Sequence, residues 1–329
     1  MAYSVKDAVY LITGGASLIG SHIADVLLAD GAREVRLFDN FSLGTPETIA
    51  HLLNDPRVKL IRGDILRLNE LIDALQGVDG VFALAGFLTL PMSQNPSLGI
   101  AVNTSGLVNT LEACRIAKVR RIIFSSSVST YGGSTADVIT EETPFTMAGL
   151  PPASIMYGTS KIMGEGLCAQ YARSHGLQFN ALRFSSVYGE RQHWRAVNAV
   201  FIAETCEKVR RGEAPVIVGD GSEVHDYIYV TDVAEACRDA MISQSCNHVL
   251  NICTSVDTTL TEVVSIVLDA YGAKNLKPVY QEDKRAVRSS AVDKLNFSRA
   301  KAEKEIGWKP KIDAKEGIRR YIAWRNAQS

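Results

Sequence analysis

The stretch Thr13-Gly14-Gly15-Ala16-Ser17-Leu18-Ile19-Gly20 decides the fold. An apolar run at 8–13 precedes it and a helical periodicity at 19–30 follows. That strand–turn–helix context is what makes the glycines informative, because such a pattern alone is weak. Gly14 permits a tight turn and Gly20 permits close packing of helix on strand. The helix start then presents unpaired N–H groups and partial positive charge to a pyrophosphate. Ser17 stands where a second glycine is usual. It crowds the backbone approach slightly and offers a hydroxyl to a phosphate oxygen. Leu18 and Ile19 complete the cofactor-contacting turn.

Outward from this turn, short apolar runs at 34–39, 58–63, 80–85, 121–126 and 179–183 alternate with helical patterns at 68–76, 98–117 and 155–175. Runs that are apolar nearly throughout suit strands covered on both faces. Strand and helix in alternation imply an α/β fold with a Rossmann-type doubly wound parallel sheet over residues 1–184. After Arg183 the rhythm breaks. Short strands (216–218, 226–230, 248–253) mix with helices (199–211, 233–243, 260–271), and two helices (299–306, 314–325) flank Gly307-Trp308-Lys309-Pro310. Residues 185–329 read as a smaller mixed α/β C-terminal substrate lobe, with segments near 226–253 returning to the first domain. Trp308 reads as core.

Carboxylate and hydroxyl positions further along the chain extend the site. Asp39 ends the second strand, where a carboxylate accepts both ribose hydroxyls and repels a 2′-phosphate. Asn40 rather than Arg follows, so NAD is expected over NADP. Asp64, with Ile65, follows the third strand and either meets adenine or caps a helix. Tyr157 and Lys161 stand one turn apart on one helix face, and a nearby ammonium favours the phenolate. Ser125-Ser126-Ser127 ends the fifth strand, the edge from which side chains reach a cofactor crevice.

Together with Leu84-Ala85, Asn103, Tyr131-Gly132, Leu182-Arg183-Phe184, Val187-Tyr188-Gly189, Gly219-Asp220-Gly221, Tyr229-Val230-x-Asp232-Val233 and Gly307-Trp308-x-Pro310, these motifs make the chain resemble the extended short-chain dehydrogenase/reductases. The similar subgroup is the NAD-dependent epimerase/dehydratases of nucleotide sugars, especially the 4-epimerases. The resemblance implies Tyr157 as base, Lys161 on the nicotinamide ribose, and Ser127 on the substrate hydroxyl. Leu84, Ala85, Asn103 and Ser125 join the cofactor contacts. It also implies hydride transfer to tightly held NAD, a keto-sugar, and return of hydride to the opposite face. Sugar 4,6-dehydratases carry an Asp-Glu pair after the catalytic Ser or Thr; here Val128-Ser129 stands there, which argues against dehydration. Relatives dimerise through two long helices, so a homodimer through 98–117 and 155–175 is expected, with Gly106, Met163 and Gly164 among its small and apolar residues.

Substrate recognition departs from that pattern. Ser186 replaces a usual Asn, and His225 replaces a usual Arg that pairs with diphosphate. His225 reads three ways: a diphosphate ligand, a mark of another substrate, or a locally satisfied side chain. Arg191, Arg195 and Arg288 add positive charge near the expected cleft. An NAD-dependent dehydrogenase or reductase of another secondary alcohol or ketone is the alternative enzyme, and a non-catalytic cofactor-binding protein is the third reading.

The whole chain sets bounds on these expectations. With 329 residues and a formal net charge of -1, nothing calls for nucleic acid. Six scattered cysteines without a C-x-x-C pair argue against zinc and against a disulfide framework. No metal site is expected. Nor is a membrane segment, and a cytoplasmic setting follows as the expectation.

Overall fold

The computed structural model describes residues 4–192, 200–282 and 295–328. In chain order the first half runs β1 (Val9–Thr13), α1 (Leu18–Ala29), β2 (Glu34–Asp39), α2 (Pro46–Ile49), β3 (Val58–Arg62), α3 (Leu68–Ala74) and β4 (Gly80–Ala83). It continues with α4 (Thr89–Gln94), α5 (Pro96–Ile100), a π-helical segment (Ala101–Gly106) and α6 (Leu107–Ile116). After these come β5 (Arg121–Ser127), a 3-10 turn (Val128–Tyr131), α7 (Pro152–His175) and β6 (Gln178–Phe184).

The strands are apolar on both faces because both faces are covered. Tyr10, Ile12, Phe82, Ile123 and Leu182 pack on one side, against Ile23 and Leu27 of α1. Their neighbours Leu11, Val81, Ile122 and Ala181 pack on the other, against α3 and α6 through Leu71, Leu107 and Leu111. Each such Leu or Ile contributes about 1.5–3 kcal/mol by leaving water.

The second half holds β7 (Ser186–Tyr188), α8 (Val200–Arg210), β8 (Val216–Val218), β9 (Val224–His225), β10 (Tyr227–Tyr229) and α9 (Val230–Ile242). Then follow β11 (His248–Ile252), β12 (Thr258–Thr259), α10 (Leu260–Tyr271), β13 (Val279–Gln281), α11 (Ala300–Ile306) and α12 (Ala314–Ala327). β11 lies in the main sheet, whose seven parallel strands run in the order β11-β6-β5-β4-β1-β2-β3. α9 covers the α1 side, sealed by Trp308, whose indole N–H donates to the Asp232 carbonyl at 2.9 Å. A separate core of Ile202, Val209, Val263, Ile318 and Tyr321 joins α8, α10 and α12.

Strand order reverses between β1 and β4. The carboxyl ends of the strands on either side of that point frame the crevice in which such sheets bind ligands.

Two expectations change. The helix expected over 98–117 is three pieces, interrupted by the π-helical segment. Gly106 and Gly164, expected at a dimer face, pack inward: a methyl on either would collide with Ile65 or Phe124 respectively. Among the described residues no helix is long and apolar enough to cross a membrane.

Candidate active site

One cleft runs from the start of α1, past the ends of β2 and β3, to the ends of β5 and β6. Gly14, Ser17, Leu18, Ile19, Asp39, Asn40, Asp64, Ile65, Leu84 and Ala85 line its first half. Gly14 has φ +71°, and a Cβ there would stand 3.0 Å from the Ala85 backbone nitrogen. A Cβ on Gly20 would meet the Gly14 carbonyl oxygen at 2.5 Å, so the turn needs both glycines for space.

Ser17 is the N-cap of α1: its Oγ accepts from the Gly20 N–H at 3.1 Å. The hydroxyl's lone pair therefore serves the helix, while its hydrogen remains for another acceptor. Asp39 is buried, and its two oxygens accept from the Ala16 N–H at 2.9 Å and the Phe41 N–H at 2.8 Å. Burial raises its pKa, and those two donors oppose the rise. Asp64 lines the cleft while its Oδ1 accepts from the Leu66 N–H at 2.9 Å; the N-cap position of α3 belongs to Arg67.

Backbone donors at a helix start, a carboxylate at the end of β2 and bare glycine surface fit the adenosine and pyrophosphate of a dinucleotide. Lys161 is the sole cation lining the cleft among the described residues. Among the described residues no cation stands at the Asp39 end, and the Asp39 carboxylate would repel a 2′-phosphate.

At the other end stand Ser125, Ser127, Tyr157 and Lys161. Lys161 is buried, and its ammonium donates to the Ser125 carbonyl at 2.8 Å. Ser125 Oγ in turn donates to the Ala83 carbonyl at 3.1 Å. Ser127 Oγ accepts from the Ser129 N–H at 3.1 Å and donates to Ser129 Oγ at 3.1 Å, and it lines the same end of the cleft as Tyr157. Burial pushes the Tyr157 phenol up to about 12, opposed by the Ser127 hydroxyl. Burial draws Lys161 down to about 8, opposed by the charge of Glu165.

At this phenol burial outweighs the lowering expected from the ammonium. Lys161 Nζ lies 5.7 Å from the Tyr157 ring centroid, and loss of water outweighs their interaction.

Asn103 does not line the cleft. Within the π-helical segment its Oδ1 accepts from the Phe87 N–H at 2.7 Å, and its Nδ2 donates to the Phe87 carbonyl at 3.0 Å and Ser160 Oγ at 3.1 Å. It clamps the loop after β4 onto α7.

The residues expected to bind substrate are dispersed. Arg191 is not brought to the cleft lining; its guanidinium donates to Asp25 at 2.6 Å and meets His51 at 2.7 Å, tying the chain after β7 to α1. Its charge, expected near the cleft, is paired here with the Asp25 carboxylate. His225 is held between Glu223 (Nε2···Oε1 3.0 Å) and Ser186 (Nδ1···Oγ 3.4 Å), so the locally satisfied reading is the one this arrangement matches. Ser186 thereby faces His225. Arg195 and Arg288 lie outside the described residues.

Two polar residues behind the site went unassigned in the sequence. Glu165 and Arg183 form a buried pair at 2.8 Å. The Lys161-to-Glu165 spacing of one helical turn was the available signal.

Comparisons with known proteins follow this geometry. A family model described as GDP-mannose 4,6 dehydratase matches residues 11–321. A provisionally named UDP-glucose 4-epimerase of Methanocaldococcus jannaschii is 33% identical over 318 residues, 95% of this chain and 97% of that protein. UDP-glucuronic acid decarboxylases also match along 95% of the chain.

Among solved structures, the UDP-glucose 4-epimerase of Thermotoga maritima with UDP-glucose superposes with a TM-score of 0.86, at 29% identity, covering 97% of this chain and 99% of that one. The UDP-glucose 4-epimerase of Thermus thermophilus in complex with NAD gives 0.82 at 31% identity, covering 97% and 99%.

Proposed function

Since the chain belongs to the family described as GDP-mannose 4,6 dehydratase, within the extended short-chain dehydrogenase/reductases, we propose that it is an NAD-dependent epimerase of a nucleotide-activated sugar. One observation carries this reading. Ser127, Tyr157 and Lys161 meet at the end of a cleft whose described lining carries carboxylates, Asp39 and Asp64, only at its opposite, adenosine end. Water elimination needs a further acid–base pair beside the sugar, and the described lining offers none there. Epimerisation needs only a proton carrier and a reversible redox partner.

NAD, when bound, supplies that partner by accepting and returning a hydride. Gly14, Ser17, Leu18, Ile19 and Gly20 would hold its pyrophosphate. Asp39 and Asn40 would hold the adenosine ribose, Asp64 and Ile65 the adenine side, and Leu84, Ala85, Ser125 and Lys161 the nicotinamide half. Ser127 orients the reacting hydroxyl, and Tyr157 Oη takes the proton from that oxygen and gives it back to the same oxygen when the epimer forms. Lys161, charged below about pH 8, favours the phenolate at that moment.

Purified protein with NAD should convert a UDP-hexose, a UDP-uronate or an N-acetyl form to its epimer without accumulating NADH. Steady NADH production from a non-nucleotide alcohol would instead make the chain a dehydrogenase. Loss of carbon dioxide from the uronate would make it a decarboxylase. Tyr157→Phe should lower turnover by about 10²–10⁴-fold and leave NAD binding intact. Turnover close to wild type would remove Tyr157 from the reaction.

A homodimer belongs to the same proposal. Leu98 and Ile100 on α5, Ile116 on α6 and Met163 on α7 are exposed apolar side chains, and they support a face shared between two copies.

A further inference from the structure

Glu165 lies one helical turn beyond Lys161 on α7 and is buried against the sheet. Its carboxylate takes three donors. Oε1 accepts from Ser126 Oγ at 2.5 Å and from Arg183 Nε at 2.9 Å, and Oε2 accepts from Arg183 Nη2 at 2.8 Å. Ser126 and Arg183 are register partners across β5 and β6, so one carboxylate grips the ends of two adjacent strands.

Ser126 sits between two serines of the cleft: Ser125, whose carbonyl takes the Lys161 ammonium, and Ser127, which lines the cleft together with Tyr157. Arg183 is fixed in turn. Its guanidinium lies 4.7 Å from the Tyr131 ring centroid and donates to the Glu141 carbonyl at 3.3 Å.

We propose that Glu165 is a positioning residue: it locks the strand end at residues 125–127 to α7, and its negative charge keeps the buried Lys161 ammonium charged. The catalytic meaning of this rests on the epimerase reading above, but the charge coupling does not.

The groups around the two residues are few. Lys161 meets the Tyr157 phenol on its own helix, with the Phe124 ring and the Ser125 carbonyl from β5. Glu165 meets Ser126 from β5, Arg183 from β6, and on its own helix the Cys168 thiol, which burial keeps protonated. Among the described residues, Lys161 has no carboxylate within 4.0 Å of its ammonium. The support from Glu165 is therefore electrostatic and sensitive to what Arg183 neutralises.

The test titrates Lys161 directly in ligand-free protein, following its ε-carbon by NMR with lysine labelled at that carbon and the signal assigned by its loss in Lys161→Met. Arg183→Gln leaves Glu165 uncompensated and should raise the midpoint by about one pH unit. Glu165→Gln combined with Arg183→Gln removes both charges, keeps hydrogen-bonding groups, and should lower it by about one unit. Opposite shifts support the inference; shifts of the same sign, or none, overturn the charge coupling.

If a charge variant does not fold, Ser126→Ala decides, because it removes only one hydroxyl. It should lower kcat at least fivefold with NAD affinity unchanged, and an unchanged kcat would overturn the positioning role. If no nucleotide sugar is a substrate of the wild type, the epimerase reading fails while the titration still reports on Glu165.

Discussion

Buried under the cleft, Lys161 loses water on folding, and its pKa falls from an ordinary lysine value to about 8. Between those two values the unfolded chain holds a proton that the folded chain has released, so unfolding free energy rises with pH there. The slope is at most about 1.4 kcal/mol per unit. Below pH 8 the buried charge costs the fold about 3 kcal/mol in full. Lys161→Met lacks this dependence. The variant should be the more stable protein at pH 7, and the gap should narrow steadily from pH 8 towards pH 10 in urea unfolding; a gap independent of pH would contradict the burial argument.

Tyr157 pulls the opposite way only above pH 10, since its phenol stays protonated when folded up to about 12.

Lys161 and Tyr157 were legible in the sequence because a spacing of four on a helix fixes their common face. Asp39 was legible because a strand end fixes where its carboxylate sits. Arg191 and His225 were not. Each depends on a partner that local pattern does not supply: Asp25 and His51 stand 166 and 140 residues away from Arg191, and Ser186, which holds His225 opposite its near neighbour Glu223, stands 39 away. The spacing put Tyr157 beside Lys161 in the cleft, but spacing says nothing of how dry the site is, and burial raises the phenol.

At the scale of elements, the π-helical segment is the departure with consequences. A period-3.6 pattern through 98–117 reads as one helix, and the π-turn changes no apolar residue, so composition gave no warning of it. Its effect is to turn Asn103 inward, where it replaces the missing backbone partners of Phe87 and reaches Ser160 on α7. Asn103→Ala leaves the Phe87 N–H and carbonyl buried without a partner. It should destabilise the protein by about 2–4 kcal/mol and lower kcat through the displaced loop after β4. Thermal unfolding together with steady-state kinetics checks this, and a variant unchanged in both would show that the clamp is dispensable.

Strands as short as β9 and β12 were beyond reading for a different reason. Two residues carry no periodicity, and they pair only because the surrounding chain brings Thr258 opposite His225.

Across the whole molecule, the doubly wound sheet was legible from its alternation, since each strand must be covered on both faces. The placement of β11 beside β6 is a long-range fact. It closes the sheet with residues that follow β6 by more than sixty positions, and α9 lies between them to cover the α1 side. The exposed apolar side chains on α5, α6 and α7 belong to this scale too. Ile100→Glu together with Met163→Glu should convert a dimer to a monomer in analytical ultracentrifugation without loss of fold. A dimer that persists through both changes would place the contact elsewhere.

The cleft runs across the sheet, with the glycine turn and Asp39 at the α1 end and the phenol–ammonium pair at the other. A crystal structure of the chain with NAD bears on it most directly. The adenosine ribose is expected on the Asp39 carboxylate, and the nicotinamide ring beside the Tyr157 hydroxyl and the Lys161 ammonium. A ring bound away from Tyr157, or a dinucleotide running in the reverse direction, would contradict the assignment.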